Sequence, residues 1–253
     1  MDAYWLEQTE ADVPEDNDWL SPGEAARLAA MRFVKRRTDW RLGRWTAKRA
    51  LAACLNTSSD RSAFSQIEIA SASSGAPEVF FSGQKAPISI SLSHRAGVAA
   101  CAITTPEAAL GCDLEKVEVR SDAFVADYFN VQEQELIAGA RAADRSLLIN
   151  LLWSAKESAL KALQEGLRLD TRSVSVRLVN LQLGREDGEW HPLRVVAAGG
   201  KIFAGWWRSA NELVRTLAGT PPLSPPILLT ASVSSEAPLC LQSSQRLSIV
   251  IAP

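Results

Sequence analysis

Leu152-Trp153-Ser154-Ala155-Lys156-Glu157-Ser158-Ala159-Leu160-Lys161-Ala162 is dominated by Ala, Leu, Lys and Glu, and neither Pro nor Gly follows before Gly166. Side chains of this kind lose little rotamer freedom in a helix, so the stretch predicts one, with Ser154 capping or entering its first turn. On that helix Glu157 and Lys161 are i and i+4 neighbours and project from one face. Exposed helices carry many such pairs, and the pair alone does not separate a surface ion pair from a chemical site.

A second acidic stretch lies upstream. Ala109-Leu110-Gly111-Cys112-Asp113-Leu114-Glu115-Lys116 follows the apolar run Val98 to Thr104. If Cys112 to Lys116 is extended, Asp113 and Glu115 share a face, because strand side chains alternate with period two. Two carboxylates held side by side repel, and a cation or a proton must relieve the cost. Asp113, Glu115 and Glu157 together would offer hard oxygen ligands suited to Mg2+, which keeps some waters and completes its shell with phosphate oxygens.

The chain has 253 residues, 47% of them hydrophobic, enough to bury a full core as one domain or as two compact halves. A net charge of -2 gives no support for a nucleic-acid partner or an anionic membrane surface. The acidic start lacks the basic and apolar regions of a signal peptide, and no run approaches the roughly 18 apolar residues of a membrane span. Cys54, Cys101, Cys112 and Cys240 show no metal-binding spacing and read as reduced thiols, so a cytoplasmic protein is expected.

Ser21-Pro22-Gly23-Glu24 has the form of a capping box opening a helix to about Ala30. A second helix is predicted from about Arg36 to Cys54. Lys35, Arg36, Arg37, Arg41, Arg44, Lys48 and Arg49 make this region the densest basic cluster in the chain, which composition alone reads equally as a solvated face. Strands are predicted over Phe64 to Ala70, Ile88 to Arg95, Thr171 to Leu178, Lys201 to Arg208 and Glu212 to Ala218, and a helix over Ser121 to Tyr128. Ile227 to Val233 and Leu247 to Ile251 are strand-like. The sequence shows no convincing internal repeat.

Gly111-Cys112-Asp113-Leu114-Glu115 and Trp153-Ser154-Ala155-Lys156-Glu157-Ser158-Ala159-Leu160-Lys161 resemble, in order and spacing, two motifs of the two-half (surfactin-synthetase-activating) type of 4'-phosphopantetheinyl transferase, G-[IV]-D-[IVL]-E and W-[ST]-x-K-E-[AS]-x-x-K. The resemblance implies an α+β fold of two similar halves, a pseudo-dimer, over roughly 1–107 and 108–219, with coenzyme A in the cleft between them. It leaves residues 220–253 as an extension without a role. Arg36-Arg37-Thr38-Asp39-Trp40-Arg41-Leu42-Gly43-Arg44 is similar to a family segment whose arginines meet the 3'-phosphate, which implies that role for Arg36 and Arg44. Ser93 and His94 resemble a strand end presented to the cofactor phosphates, with Arg95 where a Ser is usual. Ala76 stands where the turn Ser74-Gly75-Ala76-Pro77 usually has a basic residue.

The implied reaction moves 4'-phosphopantetheine to a serine of an acyl, peptidyl or aryl carrier protein and releases adenosine 3',5'-bisphosphate. Asp113, Glu115 and Glu157 would hold Mg2+, with Glu157 as the base, Lys161 on the departing phosphate and Lys156 as a second cation. Glu133, in Phe129-Asn130-Val131-Gln132-Glu133, resembles a family glutamate near the metal or orienting Lys161, although a helix-start glutamate favoured by the dipole fits as well. A monomer is expected, with no nucleic acid or membrane partner. Two other classes stay open, a non-catalytic module binding coenzyme A or a carrier, and a Mg2+-dependent phosphotransferase using another nucleotide.

Overall fold

The computed structural model describes residues 1–165, 169–179 and 188–230. In chain order the first half contains β1 (Tyr4–Thr9), α1 (Pro22–Ala29), α2 (Val34–Leu55), α3 (Arg61–Ser65), β2 (Ile67–Ser71), β3 (Pro77–Phe81), β4 (Gln84–Lys85), β5 (Ser89–Arg95) and β6 (Val98–Thr104). The second contains β7 (Ala109–Lys116), α4 (Asp122–Tyr128), α5 (Val131–Ala138), α6 (Ala142–Leu163), β8 (Ser175–Leu178), β9 (His191–Val196), β10 (Ile202–Ala210) and β11 (Leu213–Thr220), and β12 (Ile227–Leu228) follows. This is the mixed α+β class that the sequence implied.

Each half lays one long helix on one sheet. Helix α2 packs on β1 and β6 of a sheet ordered β12-β1-β6-β5, and α6 packs on β7 and β11 of a sheet ordered β7-β11-β10-β9-β8. The halves meet where β5 runs beside β7. There the Ser91 and Ser93 hydroxyls accept from the Cys112 and Leu114 amides at 2.9 and 3.1 Å, joining strands that no backbone ladder joins. An apolar seam of Ala3, Trp5, Ala100 and Ala102 against Leu110, Cys112, Leu114 and Leu217 closes the joint, and burial of this kind supplies the main favourable term in such an interface. Glu7 on β1 receives Arg208 and Arg215 from β10 and β11, at 3.0 and 2.6 Å.

Gly111 fixes how closely α6 approaches β7. A Cβ there would run into the Ser158 carbonyl oxygen and the Ala162 amide nitrogen, backbone atoms that cannot rotate away. The glycine of the first acidic motif is therefore a packing requirement.

One local arrangement occurs twice in the described residues. In the first half Glu24, the third residue of α1, closes a capping box with Ser21, pairs with Lys48 of α2 at 2.5 Å and accepts from the Ile69 amide at 3.1 Å. In the second half Glu133, the third residue of α5, closes a capping box with Asn130, pairs with Lys156 of α6 at 2.7 Å and accepts from the Val176 amide at 2.9 Å. Each lysine also donates to two backbone carbonyls, Trp19 and Phe64 for Lys48, Thr171 and Val174 for Lys156. The matching tetrapeptides are Trp45-Thr46-Ala47-Lys48 and Trp153-Ser154-Ala155-Lys156.

Several expectations change. Helix α6 begins at Ala142, so Ser154 is a buried mid-helix residue and not a cap. Phe64 belongs to the short helix α3, and its strand starts only at Ile67. Thr171–Ser173 is a 3-10 turn ahead of β8. Part of the extension joins the first half, because β12 pairs in parallel with β1. The turn at Gly166 to Arg168, Cys240 and the strand-like stretch at Leu247 to Ile251 lie outside the described residues, as does Ile227 to Val233 beyond residue 230. Among the described residues no helix is long and apolar enough to cross a membrane.

Candidate active site

Asp113 stands at the joint of the two halves, 5% exposed and opposite Thr216 in the β7–β11 ladder. Its Oδ1 accepts from Ser93 Oγ at 2.9 Å and from Lys161 Nζ at 2.8 Å, and its Oδ2 accepts from Ser154 Oγ at 2.9 Å. Ser154, Ser158 and Lys161 follow i, i+4, i+7 spacing on α6, one stripe aimed at the sheet. Ser158 meets the Thr216 hydroxyl at 2.7 Å, and Lys161 also donates to the Cys112 carbonyl at 2.9 Å. Burial alone would depress the Lys161 ammonium, but the field and hydrogen bond of Asp113 together with the fields of Cys112 and Glu157 more than offset it and hold Lys161 above its ordinary value.

Glu157 lies beside this group. Burial, and then the field of Asp113, raise its carboxyl above the usual glutamate range, with Glu115 adding to the rise and Lys161 opposing it. Among the described residues its Oε1 is buried without a hydrogen-bond partner. An orphaned buried carboxylate oxygen is costly unless a cation or proton meets it. Among the described residues no three His, Cys, Asp or Glu side chains form a ready metal cage. The donor set at Asp113 and Glu157 nevertheless fits part of a Mg2+ shell, since that ion takes one or two carboxylates and fills the rest with water and phosphate oxygens.

Glu115 is differently placed. Its Oε1 accepts from Trp153 Nε1 at 3.1 Å, and its Oε2 faces Arg120 at 3.2 Å and Arg95 at 3.5 Å. The same two arginines reach Glu118 at 2.9 and 3.1 Å. Arg120 additionally donates to Asn150 Oδ1 on α6 at 2.9 Å.

Beside this cluster lies a cavity of about 1220 Å3 whose lining includes Lys161 as well as residues of the first half. Arg36, Arg44, Ser93, His94 and Lys161 all line it, so the structure brings together most of the expected phosphate-binding set. Lys35 and Lys85 add charge to its wall. Arg36 is exposed. Arg44 is 8% exposed, stacks on Trp40 at 4.9 Å from the ring centre and has its Nε 3.7 Å from Glu24. Burial lowers the Arg44 pKa to about 10, which still leaves a full cation at neutral pH. His94 titrates below its ordinary value because desolvation, Lys161 and Lys35 outweigh Asp39 and Asp113, so it is mostly neutral at pH 7.

Two expected residues stand elsewhere. Lys156 is fully buried, with its ammonium satisfied by Glu133 and two carbonyls, so it has no reach to a phosphate. Glu133 is 2% exposed and committed to that pair and to its capping box, away from Lys161. Both serve the fold of the second half, in correction of the roles the resemblance implied. Sequence reasoning missed Ser154 as an Asp113 donor, Arg120 and Glu118 as partners of the Glu115 network, and Glu24 behind Arg44. Only Glu24 left a signal, its capping box.

Residues 109–196 match the family model of the 4'-phosphopantetheinyl transferase superfamily. No curated protein matches the chain. Among solved structures, holo-[acyl-carrier-protein] synthase of Helicobacter pylori in complex with coenzyme A is similar at 19% identity and a TM-score of 0.33, over 41% of this chain and 98% of that one. Holo-[acyl-carrier-protein] synthase of Thermotoga maritima is similar at 19% identity and a TM-score of 0.31, over 44% of this chain and 61% of that one.

Proposed function

With residues 109–196 matched to the 4'-phosphopantetheinyl transferase superfamily, we propose that this protein transfers the 4'-phosphopantetheine of coenzyme A to a serine hydroxyl of a carrier protein. The observation that carries the reading is one cavity lined by Arg36, Arg44, His94 and Lys161, of which Lys161 also pairs with Asp113. A ligand with a phosphate at one end and a pyrophosphate nearer the other suits that distribution of charge. The cavity walls would hold the 3'-phosphate end through Arg36 and Arg44, with His94 and Ser93 toward the pyrophosphate.

In the transfer the serine oxygen forms a bond to the phosphorus that bears the pantetheine arm, and the bond from that phosphorus to the bridging oxygen breaks. Adenosine 3',5'-bisphosphate leaves with the electron pair. Glu157, whose carboxyl is raised toward the working range of a general base, takes the serine proton directly or through a water. Lys161 faces the charge that grows on the leaving bisphosphate. Mg2+ on Asp113 and Glu157 would supply neutralisation of phosphate charge, as in other phosphoryl transfers.

Incubation with coenzyme A, Mg2+ and an apo carrier protein, followed by weighing the carrier, tests the reading. The expected result is a carrier heavier by one phosphopantetheine. Coenzyme A bound but never transferred would leave a non-catalytic binding module instead, and neither binding nor transfer would end the reading altogether.

A further inference from the structure

The cavity holds its charge differently on two of its walls. Helix α2 supplies Lys35, Arg36, Asp39 and Arg44. The wall built from β2, β3, β4 and their turns has, among the described lining residues, only Glu78 and Lys85 as charged groups. Lys85 stands opposite Phe80 in the β3–β4 ladder, and Glu78 is two residues before Phe80, so both side chains leave the same face of the sheet as diagonal neighbours. They meet there, with Lys85 Nζ donating to Glu78 Oε1 at 2.6 Å.

This sheet is fastened to α2. Glu24, 3.7 Å from Arg44 Nε, accepts from the Ile69 amide of β2, Ile69 stands opposite Val79 of β3, and the Val79 carbonyl accepts from the Ala86 amide beside Lys85 at 2.8 Å. Lys85 is thus two strand spacings, about 10 Å, from the strand that Glu24 ties to Arg44, in the wall of the same cavity. The Lys85 side chain is 61% exposed and that of Glu78 30%. Such pairs hold weakly, because water screens them and two side chains must be kept in one geometry. A phosphate monoester, with nearly two negative charges and three acceptor oxygens, attracts an ammonium more strongly than one carboxylate does.

We propose that Lys85 is a further phosphate-binding residue of this cavity, and that it leaves Glu78 for the 3'-phosphate of coenzyme A, so that Glu78 competes with the ligand and sets its affinity. The inference rests on the coenzyme A reading of the proposed function. Arg44 is the buried, fixed cation of the site, held against Trp40, whereas Lys85 carries its charge on a flexible, exposed stem that can exchange one anion for another.

Calorimetric titration of coenzyme A and of dephospho-coenzyme A into the full chain and its variants reads the exchange, and circular dichroism shows that each variant is folded. K85M should weaken coenzyme A by roughly fivefold, less than a buried charge-assisted contact supplies because water screens the site, and should leave dephospho-coenzyme A within about twofold of the parent. K85R should keep most of the coenzyme A affinity. E78Q removes the competing charge and should tighten coenzyme A by about threefold, with dephospho-coenzyme A unchanged. A K85M that weakens both ligands alike or neither, or a K85R as weak as K85M, would overturn the contact, and an E78Q no tighter than the parent would overturn the competition. In each of these cases a parent that binds coenzyme A keeps the functional reading. A parent that binds no coenzyme A would overturn both.

Discussion

Arg44→Ala removes the most buried cation of the cavity wall and leaves its surroundings in place. Glu24, the nearest acid, retains Lys48 at 2.5 Å and the Ser21 and Ile69 amides at 3.1 Å each, so the substitution does not orphan a buried carboxylate. The fold loses mainly the stacking on Trp40, worth about 0.5–1 kcal/mol for such contacts. The ligand loses more. A well-formed hydrogen bond to a charged group contributes about 1.5–3 kcal/mol, which corresponds to a roughly tenfold to hundredfold weaker complex with coenzyme A. Dephospho-coenzyme A has no 3'-phosphate to lose, and it should bind the parent poorly and the variant equally poorly. Calorimetric titration of both ligands into both proteins completes the double comparison. If the two ligands weaken by the same factor, Arg44 supports the wall without touching the phosphate, and the 3'-phosphate assignment fails.

Asp113→Asn and Glu157→Gln should each reduce transfer to an apo carrier by a hundredfold or more, on the order of what general-base and electrostatic groups supply, while melting temperatures stay near the parent's; near-normal turnover at saturating Mg2+ would remove them from the chemistry. Gly111→Ala should destabilise by about 1–3 kcal/mol or more in a denaturant melt, because α6 must lift from β7, and an unchanged midpoint would show that the contact yields. Because burial and Asp113 raise the Glu157 carboxyl, the active ionised form is complete only above that raised value, so turnover should fall on acidification at a pH above the ordinary 4.5, and an acid limb at or below 4.5 would argue against Glu157 as the base. The Lys161 pair has the opposite sign. Its folded value is raised, so its contribution is fully present below the ordinary 10.5 and is lost as pH rises through the folded value, and the stability gap to Lys161→Met should narrow only in strong alkali.

The chemistry-bearing strand was readable because period two is unambiguous. Asp113 and Glu115 fall on one side of β7 wherever its ends are set, and Glu157 and Lys161 share a helix face by spacing alone. What spacing could not tell was which lysine of α6 faces the cleft. The helix is covered on several sides, so Lys156, five positions from Lys161, is buried among apolar neighbours in a stretch whose composition gives no polar face to exclude it. Glu133 was similarly ambiguous. An Asn or Ser three residues before a Glu announces a helix start, but only the fold shows that a lysine from a helix further along the chain comes to meet the carboxylate. Arg120 and Glu118 lie between elements, where no periodicity applies, and Arg95 reaches Glu118 from the end of β5, far along the chain. The twice-used arrangement is hard to read from the sequence because its trace there is one tetrapeptide, while its physical content is a pair of ion pairs separated along the chain.

Those two matched ion pairs bear on how the molecule tolerates change. Each long helix is pegged from behind, at Lys48 or Lys156, to a turn and a strand of its own half, and the peg does not face the cavity. The front of each helix is thereby relieved of holding the scaffold together. The front of α2 carries guanidiniums and the front of α6 carries carboxylates and an ammonium, on the same kind of attachment. Drift at the front edits ligand and reaction, whereas drift at the peg dismantles a half.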